Sequence, residues 1–156
     1  MSEVQIKSRY IEFSLGAQLY AIPLLTVKEV ILKPETTAVP NMPSYFEGMI
    51  NLRGQVLGIY NLRKKMGAKS KDNNELANDV VIIIENNGIS VGMIVDEVTR
   101  VLNVESSMIG PAPLKEDDPA RNFINSVIRV NGELVMTVNV VELLELEKFK
   151  KLQKAA

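Results

Sequence analysis

The sequence contains no cysteine, no histidine and no tryptophan. Without cysteine the chain has no disulfide framework and no thiolate nucleophile. Without histidine it lacks the side chain best suited to proton transfer near neutral pH, and zinc sites built from these two residue types are excluded. These absences remove most catalytic designs. We therefore predict a protein that is not an enzyme and that needs no metal or cofactor.

A surplus of charge and a long apolar run are also missing. The 18 basic residues oppose 19 acidic ones, for a net charge of −1, whereas nucleic-acid modules and polybasic membrane anchors need excess Lys and Arg. The longest aliphatic run, residues 80–84, is far shorter than the roughly 20 residues of a membrane-spanning helix. The N-terminal segment has no apolar core of a secretory signal. We expect a cytoplasmic protein that does not insert into membranes.

What the sequence does contain is a series of short segments rich in Val and Ile and bounded by Gly, Asn or Pro, which is typical of strands. Asn and Gly tolerate the positive φ that tight hairpin turns require. Three pairs of segments predict hairpins: 10–15 with 19–22, 79–85 with 89–95, and 124–130 with 134–138.

Helical signals are fewer. Segment 23–32 has apolar residues at helical spacing and predicts one short helix. Asn61 is suited to cap a second helix that closes at Gly67. Asn139 is suited to cap a C-terminal helix. That last helix would carry an apolar stripe of Leu143, Leu146, Phe149 and Leu152.

A weak internal repeat is also present. Residues 54–61 align with 132–139, and each copy reads as a turn Gly, an apolar strand, an Asn cap and a helix. An acidic–apolar pair precedes each copy, Glu29-Val30 in one and Glu97-Val98 in the other. We predict two similar β-units, and short strands at regular spacing favour small barrels over an open parallel sheet.

The segment that stands out is 39–54, where two prolines stiffen the approach to a short strand bracketed by Gly48 and Gly54. Arg53 directly precedes the second of these glycines. One interpretation of Arg53 is a surface ion pair worth under about 1 kcal/mol. The other is a guanidinium presented to a protein partner, since Arg is enriched at binding hot spots. The residues alone leave both open.

Residues 48–54, Gly-Met-Ile-Asn-Leu-Arg-Gly, followed by Ile-Tyr-Asn-Leu-Arg at 59–63, resemble the signature of the bacterial chemotaxis coupling protein family, CheW. The family pattern usually has Pro and Asp where Gly58 and Asn61 stand, but Asn caps a helix as well as Asp does. The resemblance runs through about 10–146. Supporting segments match in order at 13–16, 20–23, 27–30, 39–43, 91–98 and 109–113.

The resemblance implies a mainly β fold with two five-stranded SH3-like β-barrel subdomains, short helices and a C-terminal helix. One CheW-like domain would span residues 8–150. Its first barrel would cover about 16–80, and its second about 81–146 plus the N-terminal strand.

The same resemblance implies a non-enzymatic adaptor that couples chemoreceptors, the methyl-accepting chemotaxis proteins, to the regulatory domain of the histidine kinase CheA. It would be a monomer when free and would join receptor arrays at the inner membrane. The start at Met1 and the short length favour a free-standing adaptor. The implied receptor-binding residues, near a groove between the barrels, are Val27, Glu29, Val30, Arg53 and Gly54. The implied kinase-binding residues are Val39, Pro40, Met42 and Tyr45.

One alternative is a small β-barrel that binds nucleic acid or serves as another interaction module. Such a barrel needs a basic, aromatic-lined face for backbone charge and base stacking. Four Phe, four Tyr, no Trp and a net charge of −1 speak against it. The adaptor is therefore the favoured prediction, with Glu29 and Arg53 expected to act together because their charges are opposite.

Overall fold

The computed structural model describes residues 8–67, 79–118 and 122–144. These residues form two mixed β-sheets with a few short helices, which confirms the prediction of a mainly β chain. The strands are β1 (Ser8–Leu15), β2 (Gln18–Pro23), β3 (Val27–Leu32), β4 (Phe46–Leu52), β5 (Gln55–Asn61), β6 (Val80–Asn86), β7 (Ile89–Val95), β8 (Glu97–Val104), β9 (Ile109–Gly110), β10 (Ile124–Val130) and β11 (Glu133–Val138). The helices are α1 (Leu62–Lys65) and α2 (Val140–Leu143), with 3-10 turns at Leu24–Thr26 and Ser106–Met108.

The five-stranded sheet has the order β3-β6-β7-β5-β4. Its hairpins β6–β7 and β4–β5 are antiparallel, while β5 and β7 pair in parallel. Alternating aliphatic side chains from these strands form one core cluster of Ile50, Leu57, Ile59, Val81, Ile83 and Ile94. Within the described part of the chain β3 and β4 are the sheet's two edges, so the closure of the predicted barrel is not seen.

The six-stranded sheet has the order β8-β1-β2-β11-β10-β9. Its sixth strand, β9, is only two residues long, and β11 pairs in parallel with β2. A second core cluster lies here, formed by Ala21, Leu102, Val104, Ile128 and Val135.

The described residues divide into two compact units, one of 13–17 and 25–98, and the other of 8–12, 18–24 and the described residues from 99 onward. This division differs from the boundary predicted between residues 80 and 81. The reason is that β6 pairs with β3 on one side and with β7 on the other, so the whole β6–β7 hairpin stays in the first unit. Strand β2 also moves to the second unit, because its partner is β11.

The helix predicted over 23–32 is wrong. A 3-10 turn at Leu24–Thr26 leads directly into strand β3, which pairs antiparallel with β6. The β-branched residues of β3 fit a pleated surface better than a helix, where their χ1 freedom is restricted. Residue spacing alone did not reveal the strand, since its six residues are too few to distinguish the helical repeat from the two-residue repeat of a strand.

The two predicted helix caps are confirmed. Asn61 accepts a hydrogen bond from the Lys64 amide at 3.1 Å and starts α1, and Asn139 accepts one from the Glu142 amide at 3.3 Å and starts α2. The later stripe residues Leu146, Phe149 and Leu152 lie outside the described residues. No helix in the described ranges combines the length and the apolar character needed to cross a membrane.

Candidate protein-binding site on the β4–β5 hairpin

The β4–β5 hairpin turns at Arg53 and Gly54, whose φ angles are 51° and 85°. The Asn87-Gly88 and Asn131-Gly132 turns have nearly the same pairs of positive φ angles. This geometry is typical of two-residue type I′ turns, in which Asn-Gly is the favoured sequence. A left-handed conformation costs a residue such as Arg roughly 1–2 kcal/mol. Folding alone would favour Asn at position 53, so Arg53 indicates a requirement other than folding.

The Arg53 side chain extends from the turn to Glu29 on strand β3. Its Nη1 and Nη2 atoms both donate to Glu29 Oε2, at 3.0 and 3.1 Å. The Arg53 side chain is 72% exposed, whereas that of Glu29 is 26% exposed. Because the guanidinium is largely solvated, the pair contributes under about 1 kcal/mol to folding. The pair fixes the direction of a side chain that remains available to a partner.

A groove of about 210 Å³ lies beside this ion pair. Its rim is charged, and the residues that line it are Lys28, Glu29, Leu52, Arg53, Gln55, Leu57 and Ile83. Leu57 and Ile83 belong to the buried core, so Leu52 is the accessible aliphatic residue of this lining. The second carboxylate oxygen of Glu29, Oε1, is buried and accepts no hydrogen bond from the described residues. Charged groups fixed beside the partly exposed Leu52 are suited to a protein contact.

The remaining predicted receptor contacts divide between two faces of β3. The burial of this strand alternates, with Glu29 and Ile31 partly buried and Val30 and Leu32 40% and 75% exposed. Successive strand residues point to opposite faces, so Val30 lies on the face opposite Glu29. Val27 is partly buried, and the register shifts between it and Glu29 at a β-bulge. The structure brings Glu29, Arg53 and Gly54 together and leaves Val30 apart from them.

The predicted kinase contacts lie in the segment between β3 and β4. Pro40 is exposed, while Val39, Met42 and Tyr45 are partly buried. The base of this segment is fixed by paired backbone hydrogen bonds between Thr37 and Met49, of 2.9 and 2.8 Å. The Thr37 carbonyl approaches Gly48 so closely that a side chain there would clash with it.

The Tyr45 ring is held by two neighbours. It stacks on Tyr60 with a centroid separation of 6.2 Å and an interplanar angle of 25°. The Lys65 Nζ atom lies 4.2 Å from the centroid of the Tyr45 ring, a cation–π contact worth roughly 0.5–1 kcal/mol at an exposed site. These contacts fix the ring at the C-terminal end of the segment.

Glu47 links the start of β4 to helix α1. It accepts a hydrogen bond from Asn61 Nδ2 at 2.9 Å and pairs with Lys64 Nζ at 3.2 Å. Burial acts to raise the pKa of Glu47, but the hydrogen bonds from Asn61 and Lys64 and the charges of Lys64 and Lys33 outweigh it, so the pKa is lowered. Asn61 therefore caps α1 with its oxygen and satisfies Glu47 with its nitrogen. An Asp at this position would place a second carboxylate against Glu47.

A buried ionic cluster around Arg63 was missed by the sequence analysis. Arg63 Nε donates to Asp96 Oδ1 at 2.8 Å, and its Nη2 donates to Asp79 Oδ1 at 3.0 Å and also to Asp96. The other oxygen of Asp96 accepts a hydrogen bond from the Gly16 amide at 2.7 Å, and both residues belong to the unit of 13–17 and 25–98. Burial acts to lower the pKa of Arg63, but the two carboxylates outweigh it and the pKa is raised.

One sequence signal could have revealed this cluster. The predicted 79–85 and 89–95 hairpin, centred on Asn87-Gly88, has Asp79 just before its first strand and Asp96 just after its second. Antiparallel pairing, observed as Val80 opposite Val95, places the two carboxylates side by side. Two such carboxylates beside a buried hairpin require a nearby cation.

Comparison with known proteins covers nearly the whole described fold. The model of the CheW-like domain matches residues 9–148. The probable chemotaxis protein CheW of Rhizobium etli is 31% identical over 130 residues, which are 83% of each chain. The chemotaxis protein CheW of Helicobacter pylori is 30% identical over 137 residues, which are 88% of this chain and 81% of that one.

A solved structure agrees with these sequence matches. The scaffolding protein TtCheW from Thermoanaerobacter tengcongensis superposes with a TM-score of 0.75 and 26% sequence identity, over 86% of this chain and 90% of that one. The family match includes the hairpin that carries Arg53 and both predicted helix caps. The chain therefore belongs to the CheW-like domain family.

Proposed function

We propose that this chain is a non-enzymatic adaptor of bacterial chemotaxis, which couples chemoreceptors to the histidine kinase CheA. Its family membership and its similarity to chemotaxis and scaffolding proteins over most of its length support this function. The receptor site is proposed on one observation. The side chain of Arg53 is exposed, and its backbone has a positive φ that folding disfavours. The adaptor acts in the cytoplasm, as a monomer that joins receptor arrays at the inner membrane.

The receptor tip binds at the groove beside the Arg53–Glu29 pair. The partly exposed Leu52 offers an apolar contact, and the ion pair gives the groove an oriented charged rim. Gly54 allows the turn, because its φ of 85° suits glycine and not because space is short. Val27 extends this surface along β3, and Val30 reaches the receptor from the opposite face of the strand.

The regulatory domain of CheA binds the segment that carries Val39, Pro40, Met42 and Tyr45. Proline restricts the backbone, and the Tyr45 ring is already fixed by Tyr60 and Lys65. Binding to a segment that is already ordered costs less conformational entropy than binding to one that becomes ordered on binding. This segment and the Arg53 turn belong to different loops, so the two partners are able to bind together.

The test is charge reversal at Arg53. Because Arg53 is exposed, R53E should change the melting temperature little but bind a receptor-tip fragment at least about tenfold more weakly, since it opposes Glu29 and reverses the rim charge. Binding to the CheA regulatory domain, measured separately by calorimetry, should stay unchanged. The matched control is R129E, a charge reversal in the β10–β11 hairpin, which should affect neither melting nor receptor binding. Normal receptor binding by folded R53E would refute the receptor assignment.

A further inference from the structure

The turn that carries Arg53 has a side-chain brace. Asn51, an exposed residue of β4 that pairs with Val56, accepts a hydrogen bond from the Gly54 amide through its Oδ1 atom at 2.9 Å. The bond spans Arg53 and holds the backbone on its C-terminal side. Asn51 is not among the residues that line the groove, so it acts on this site through the turn.

The two hairpins that turn at Asn-Gly show why this turn needs a brace. Their strained first turn positions hold Asn87 and Asn131, which tolerate positive φ. The positions equivalent to Asn51, three residues before the turn glycine, hold Glu85 and Arg129. Arg129 has no hydrogen-bond acceptor in its side chain, and Glu85 pairs with Lys28 at 3.6 Å. Among the three turns with this pair of positive φ angles, the one in which Arg replaces the favoured Asn thus has an amide side chain at this position.

We infer that Asn51 is a positioning residue, which stabilises the left-handed Arg53 backbone and thereby keeps the guanidinium on Glu29. The inference rests on the proposed function, in which Arg53 contacts the receptor. It adds a residue that controls this contact without belonging to the groove. The same physical cause predicts that Asn51 matters less once the residue at position 53 is itself suited to positive φ.

A double-mutant cycle in thermal unfolding tests the backbone part of the inference. N51A should lower the melting temperature by roughly 2–4 °C in the natural background, because a turn amide loses its acceptor. R53N should raise it, because Asn relieves the strain. In the R53N background N51A should have a clearly smaller effect. Equal effects of N51A in the two backgrounds would overturn the inference.

Nuclear magnetic resonance tests the side-chain part. Hydrogen exchange of the Arg53 Nη protons, which donate to Glu29, should accelerate several-fold in N51A, because the guanidinium leaves Glu29 more often. N51D keeps an acceptor oxygen and should restore slow exchange. R129A, at the equivalent position of the β10–β11 hairpin, should leave Arg53 exchange unchanged. If the Arg53 hydrogen-exchange rate in N51A equals that in the natural protein, the inference is overturned, regardless of the result for receptor binding.

Receptor binding separates the inference from the function on which it rests. N51A should bind a receptor-tip fragment about tenfold more weakly, and N51D should bind it nearly normally. If N51A releases the Arg53 guanidinium but R53E and N51A both bind the fragment normally, the positioning role stands and the receptor assignment fails. If R53E loses binding while N51A keeps both the fragment and the slow Arg53 exchange, the receptor assignment stands and the positioning role fails.

Discussion

Arg63 and Arg53 are the same residue type in opposite environments. The Arg63 side chain is 5% exposed and is shared by two carboxylates, whereas the Arg53 side chain is 72% exposed and pairs with Glu29. A buried guanidinium stabilises a fold only while its partners neutralise it, and an exposed pair contributes little to folding. We therefore propose that Arg63 serves the fold and Arg53 serves recognition, although both belong to the signature segment.

Replacing Arg63 tests its structural role. R63M should lower the free energy of unfolding by roughly 3–5 kcal/mol, because Asp79 and Asp96 remain buried after losing their shared guanidinium. R63K is the control, since it keeps the charge but loses the planar fork, and it should cost less. Urea titration measures both variants. A stability for R63M within about 1 kcal/mol of the natural protein would contradict this role.

Glu47 predicts how stability depends on pH. Its pKa is lowered in the folded chain, so its ionised contacts stabilise the fold fully above its ordinary value of 4.5 and lose that effect as pH falls through the folded value. The E47Q variant lacks this titration. Urea titrations should show that the natural protein exceeds E47Q in stability near neutral pH and that the gap narrows below pH 4.5. A stability difference between the natural protein and E47Q that does not change with pH would contradict the stabilising role of ionised Glu47.

Strand β3 shows what local pattern reveals at the scale of an element. The apolar residues at 27, 30 and 31 fit a helix by spacing, yet they pair with residues 84, 82 and 81 of β6. That pairing is set by a partner about fifty residues away, which no local period encodes. The turns and caps were predictable, because Asn87-Gly88, Asn131-Gly132 and Asn61 act on backbone a few residues away.

The β3 strand also yields a test of its outer face. V30D should remain folded, since Val30 is 40% exposed on an edge strand, but it should weaken receptor binding by placing a charge in an apolar contact. Kinase binding should be preserved. L32D, on the same face and 75% exposed, controls for charge alone. Equal receptor binding by V30D and the natural protein would confine the receptor site to the groove face.

At the scale of the whole molecule, composition and hairpin signals were sufficient to predict a mainly β chain, and the signature segment was sufficient to predict its family. The parallel pairings β2–β11 and β5–β7 were not predictable in this way. They join strands distant in sequence, and they place β2 and the β6–β7 hairpin in units other than those expected. The Arg53–Glu29 pair could be predicted from the opposite charges. The role of Asn51 could be recognised only from the structure, which shows its hydrogen bond to the Gly54 amide and the positive φ of Arg53.

We propose that one chain holds a receptor and a kinase at the same time through separate surfaces. The most direct measurement is the affinity of the chain for the CheA regulatory domain, by titration calorimetry, with and without a saturating receptor-tip fragment. Separate surfaces predict that the kinase affinity stays within about twofold when the receptor fragment is bound. They also predict that the three components elute as one complex in gel filtration. Loss of kinase binding in proportion to receptor occupancy would mean that the partners share one surface, and it would contradict the account.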